Sequence, residues 1–268
     1  MAMRQSGVSL AEMIMVIAIT GILAAGVAVF IQRPVEGYVD ASRRAALTDE
    51  ADTALRRITR ELRMALPNSV RVDGSGQFVE FILTSGGGRY RAEVDSGGGG
   101  NVLDFTASDS NGFEVLGTYP TLAAGDQIVV YNLYPDGTIS NAYAGGNRAS
   151  LASTATPPVQ ISSFLFPAES PGHRFHVATG AVTYGCTGGQ LIRYSGYGYN
   201  NPQVAPPAGG SANVLAGHVG SCQFTYTTGG LSERSGTVMM VLELVSAAAG
   251  GGTERVRLFQ QAQVNNLP

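Results

Sequence analysis

An unbroken apolar run from Met13 to Ile31, with Thr20 its only polar side chain, narrows what this chain can become. At a rise of about 1.5 Å per residue the run reaches ~28 Å as a helix, close to the ~30 Å of a bilayer's hydrocarbon core. Glu12 stands directly before it, and Gly7, five positions earlier, closes a short polar leader that contains Arg4 and Gln5. A carboxylate in a membrane segment costs on the order of 2.5–3.5 kcal/mol at mid-bilayer and less near an end, so its presence points to a function. A secretory signal peptide has an apolar core of about 7–15 residues with the cleavage site behind it. Here the core is longer and the candidate glycine lies in front. An ordinary anchor explains the run but neither Gly7 nor Glu12.

Gln32, Arg33 and Pro34 make a polar break after the run. Pro34 lacks a backbone donor and is expected to kink the helix or restart it. From Val35 to Leu66 the pattern turns amphipathic, with Leu47, Ala51, Ala54, Ile58, Leu62 and Ala65 at intervals of three and four on one face. Asp49, Asp52, Arg56, Arg57, Arg60 and Arg63 fall opposite, as a solvated face. Asp52–Arg56 forms an acid-then-base pair at i, i+4, and Arg57–Glu61 the weaker reverse. Leu66-Pro67-Asn68 is expected to end the helix.

Beyond Pro67 short β-branched and aromatic stretches alternate with glycine-rich turns. Strands are predicted at Phe78–Thr84, Arg89–Val94, Val102–Thr106, Gln127–Leu133, Val159–Phe166, Phe175–Ala178, Leu191–Tyr194 and Gln223–Thr227. Turns are predicted at Gly86-Gly87-Gly88, Gly97 to Gly100, Asp136-Gly137 and Gly145-Gly146. Thr237–Val245 and Thr253–Val264 form an expected hairpin, with Val238, Met240, Leu242 and Leu244 on its buried face. Leu151–Pro158 and Asn200–Ser211 are expected surface loops. The fold class is α+β: a long N-terminal helix packed on a mainly antiparallel β domain. Its parts are a leader at 1–7, a transmembrane helix at 8–33, an amphipathic helix at 34–66 and a globular domain at 67–268.

Composition excludes more than it specifies. Charged residues make up only 14% of the chain against about 25% usually, and the net charge of −3 offers no basic footprint for nucleic acid. His173 and His176 fall on opposite faces of a strand, a poor arrangement for one metal, which needs three or four ligands. Neither a G-x-S-x-G elbow nor a lysine-bearing phosphate loop occurs. Neither an enzyme activity nor a cofactor is expected. Tyr194, Tyr197 and Tyr199 alternate around glycines, and they either fill a loop's own core or anchor a contact.

Gly7 followed by Val8-Ser9-Leu10-Ala11-Glu12 resembles the leader signal of type IV prepilins and type II secretion pseudopilins. Val8 stands where that family usually has Phe. The resemblance implies that a prepilin peptidase cuts after Gly7 and methylates Val8, and that Glu12 pairs with the N-terminal amine of a neighbouring subunit during assembly. The helix text from Arg56 to Arg71, the segments Phe175–Cys186, Leu191–Tyr194 and Ser221–Phe224, and the terminal Gln263–Pro268 resemble the MshO family of MSHA pilus biogenesis proteins. J-type pseudopilins and PilW-like minor pilins are relatives of it.

The function so implied is that of a minor pilin assembling an MSHA-type pilus. Its partners would be other major and minor pilins, the peptidase, the inner membrane and the assembly platform. A J-type pseudopilin of type II secretion and a membrane-tethered adhesin are the alternatives. Arg33, Arg43 and Arg44 on the far flank run against the positive-inside rule. The expected location, a single pass through the inner membrane with a periplasmic C-terminal domain, therefore rests on the resemblance. In that oxidising compartment Cys186 and Cys222, which lack C-x-x-C spacing, are expected to form a structural disulfide.

Overall fold

Helix α1 runs unbroken from Leu10 to Leu62, with Pro34 inside it. In this computed structural model residues 7–109, 111–137, 139–228, 234–248 and 252–268 are described. The chain does not restart at Pro34. The proline forfeits one amide bond there, and the turns on both sides hold the helix. The helix also ends four residues before Leu66, because the strand Phe78–Arg89 claims the next backbone groups. Leu66 N donates to Ile82 O at 2.8 Å and Thr84 N to Met64 O at 3.0 Å, which bridges Ala65 to Leu83.

Among the described residues ten strands follow: β1 (Arg71–Val72), β2 (Phe78–Arg89), β3 (Gln127–Val130), β4 (Arg148–Ser150), β5 (Arg174–Thr187), β6 (Gln190–Ser195), β7 (Ser211–Ala216), β8 (Val219–Thr228), β9 (Ser235–Ala247) and β10 (Thr253–Asn265). Two antiparallel sheets result, and the α+β architecture is the one expected. The larger is organised around β5, which pairs along one side with β2 and along the other first with β3 and then with β6. The smaller runs β10-β9-β8. Between them lies the lower half of α1. Leu47, Ala51, Ala54, Leu55, Ile58 and Leu62 meet Val79, Phe81, Val182 and Tyr184 of one sheet and Phe224, Val238, Met240, Leu242 and Leu244 of the other.

The glycine triplet 86–88 is not a turn, since β2 runs through it. A Cβ on Gly87 would lie 2.4 Å from the Phe175 carbonyl oxygen and one on Gly88 3.0 Å from the Phe175 ring, so the missing side chains let β2 lie against β5. Past Arg89, where β2 ends, the expected strands at Arg89–Val94, Val102–Thr106 and Val159–Phe166 are irregular chain, with single bridges such as Tyr90–Val115 and Phe113–Val159 in the first and last and none in 102–106. At Val102–Thr106 an aspartate captures a backbone donor that a ladder would need: Asp104 accepts from Thr106 N at 2.7 Å. The apolar residues of this excursion between β2 and β5 still bury, in a separate aromatic core of Tyr90, Phe113, Phe166 and Phe175.

Candidate functional site

Ser9 sets the start of α1. Its backbone is extended, its hydroxyl accepts from Glu12 N at 3.3 Å, and its carbonyl accepts from Met13 N at 3.1 Å. The Ser9-x-x-Glu12 spacing is that of a capping box, which places Glu12 in the first turn beside the positive end of the helix dipole. Ser9 is the residue that attention to Glu12 alone passes over, and this spacing is the signal that finds it. Gly7 and Val8 lie just ahead of the cap, both exposed. The leader residues 1–6 lie outside the described residues.

From Gly7 to Val39 every described side chain is exposed. Leu10–Val27 is long and apolar enough to cross a membrane, and none of it is buried within the protein. Ile22 is 73% and Phe30 78% exposed. The first buried helix residue is Leu47, so the upper part of α1 projects away from the domain.

Polar contacts fix the lower part at three heights. Arg44 Nε meets Glu254 at 2.6 Å on β10, Glu50 accepts from Gly217 N at 2.6 Å beyond β7, and Glu61 takes Arg193 of β6 at 3.0 Å. Asp52–Arg56 forms at 2.7 Å on the outer face as expected. Glu61, by contrast, is buried, and its main partner is Arg193 rather than Arg57 at 3.5 Å. Cys186 of β5 and Cys222 of β8 are joined by a disulfide that ties the two sheets together, with Cα atoms 6.3 Å apart.

Other polar clusters are structural. Glu80 is fully buried, paired with Arg71 at 2.7 Å and accepting from the Tyr197 hydroxyl at 2.8 Å; burial pushes its carboxyl up and the Tyr197 phenol well up. Arg71 stacks 3.6 Å over the Tyr143 ring and Arg148 3.7 Å over Tyr199. Tyr197 and Tyr199 thus fill the loop's own core. Among the described residues no group of His, Cys, Asp and Glu could hold a metal. A cleft of about 400 Å³ is lined by Thr179, Gly180, Arg193, Ser195 and Tyr199, and its one cation is already bound to Glu61.

No curated protein and no solved structure matches this chain. Residues 2–28 match the family described as the prokaryotic N-terminal methylation motif. That match covers Gly7, Val8, Ser9, Glu12 and the apolar turns after them, so the N-terminal segment of this chain is of the type IV prepilin kind.

Proposed function

We propose that this chain is a minor pilin or pseudopilin: a membrane-anchored subunit that is cut after Gly7, methylated on Val8 and built into, or used to prime, a type IV-like filament. One observation carries the reading. A helix with a bare apolar upper half and a capped glutamate in its first turn stands on a domain that grips only its lower half. Such a surface is too large to be left in water, and it serves either a bilayer or the matching helices of neighbouring subunits. Gly7 supports the cleavage assignment. A Cβ there would meet nothing within 4 Å, so packing does not demand glycine and a processing enzyme gives the reason for it.

Glu12 would supply register by pairing with a neighbour's N-terminal amine, and the apolar helix would supply cohesion. The domain would then lie in the periplasm, the anchor at 8–33 in the inner membrane, and the helix from 34 onward outside it. The MshO-like tail segments favour an MSHA-type pilus over type II secretion. Mass spectrometry of the protein from cells that hold a prepilin peptidase tests the reading. The expected chain begins at N-methylated Val8. A chain starting at Met1, or cut beyond residue 20, would remove it.

A further inference from the structure

The β2–β5 ladder ends on a pair of arginines. Arg89 pairs with Arg174 in register, and both are exposed. Tyr90 N donates to His173 O at 2.8 Å, which makes 90–173 the hydrogen-bonded pair and 89–174 the next, non-hydrogen-bonded one. Side chains approach closest in such pairs, with Cβ atoms about 4.5–5.5 Å apart, and like charges there are destabilising. Among the described residues neither guanidinium has an ion pair or a hydrogen bond. The neighbouring Glu114 is spent on Arg91 at 2.7 Å.

One step along the same face, Gly87 stands opposite His176. The four positions make a square with exposed arginines at two corners, the half-buried His176 at the third and an exposed, bare glycine at the fourth. The His176 Nε2 is buried without a partner.

We propose that Arg89 and Arg174, with His176 beside them and the space over Gly87 open, form a binding site for a phosphate dianion, free or as a phosphate ester. Two guanidiniums match its two charges and offer paired donors to its oxygens, in the geometry for which arginine is suited. A bound dianion would also turn the repulsion between the arginines into a shared attraction.

Titration calorimetry of the full chain in a non-ionic detergent, at constant ionic strength, tests this with inorganic phosphate, glycerol 3-phosphate and acetate. Saturable binding of one or both phosphates is expected, with acetate much weaker. Arg89→Gln and Arg174→Gln should each weaken phosphate binding about tenfold or more, the scale of one charge-assisted contact. Arg257→Gln, on the other sheet, should leave it unchanged. Tighter binding of the ester assigns the site to a phosphate ester, and equal binding to the phosphate group alone. The two Gln variants should unfold no earlier than the parent without phosphate, because each relieves a like-charge contact. No saturable phosphate binding, an equal loss in Arg257→Gln, or acetate binding as well as phosphate would overturn the proposal.

Discussion

His176 carries the clearest pH dependence in the domain. Burial first and then the Arg174 charge hold its imidazole down at about 4, against an ordinary value near 6.5. The unfolded chain therefore binds a proton between pH 6.5 and 4 that the folded chain refuses. The associated stability is present in full above pH 6.5 and is lost as the pH falls through 4. A depression of this size corresponds to up to about 3 kcal/mol. Denaturant unfolding from pH 7.5 to 4 should show stability falling with acidification, and His176→Asn should flatten the curve in that window. A slope identical in the variant would assign the acid sensitivity to other groups. Glu80 shows the opposite device, a carboxylate buried against Arg71 and Tyr197. No local pattern signals it, because Arg71 and Glu80 sit nine residues apart and meet only across the β1–β2 register.

At the scale of elements, the close contact of β2 with β5 depends on glycine at 87. Gly87→Ala would push a Cβ into the Phe175 carbonyl, and overpacking of that kind costs about 1–3 kcal/mol. The thermal midpoint should fall by a few degrees per kcal/mol. Gly74→Ala, where a Cβ meets nothing within 4 Å, should leave it level or raise it slightly. Equal effects at the two sites would mean that the ladder tolerates a side chain at 87. The same triplet shows where sequence patterns stop being informative. Three glycines signal a turn when only local propensity is weighed, yet here they mark a close approach between strands distant in sequence. Period-based signals fared better: the buried positions of α1 from Leu47 to Leu62 and the inner face of β9 fall where the spacing puts them. The strand predicted at Val102–Thr106 does not form because Asp104 takes the Thr106 backbone donor, and Val159–Phe166 makes only single bridges, to Phe113, Leu151 and Asp109; Leu103, Val159, Ile161 and Phe166 are core all the same. Of the candidate site, Gly7, Val8 and Glu12 stood out from the sequence, whereas the Arg89–Arg174 pairing exists only through a register that joins residues 85 positions apart.

For the molecule as a whole, the fold divides into a bare apolar shaft and a domain held together across two sheets. Cys186–Cys222 is the covalent tie between those sheets, and closing a loop of that length stabilises by about 4 kcal/mol on the chain-entropy view. Reduction of the purified chain, or a Cys186→Ser, Cys222→Ser double variant, should lower the unfolding midpoint while α1 keeps its helicity by circular dichroism; an unchanged midpoint would show the sheets to be held by packing alone. The shaft poses the functional question. Glu12→Ala should leave cleavage after Gly7 intact, because the substitution only makes the segment more apolar. On the proposed pairing it should still impair incorporation into a filament, since a neighbour's N-terminal charge would then lie buried without its partner. Breaking a buried ion pair on one side costs about 3–5 kcal/mol, which is over a hundredfold in an assembly equilibrium at about 1.4 kcal/mol per decade. Glu12→Gln should be nearly as damaging, as it keeps the shape and the Ser9 cap while losing the charge. Co-purification with sheared filaments, set against the amount of processed protein in the membrane, measures the effect. Normal incorporation of both variants would reduce Glu12 to an interfacial acid at the head of an anchor. A defect in Glu12→Ala alone would assign the role to hydrogen bonding rather than charge. A subunit at the tip has no neighbour above it, so end-labelling of the filaments must accompany the count, and a defect confined to subunits below the tip would still fit the pairing.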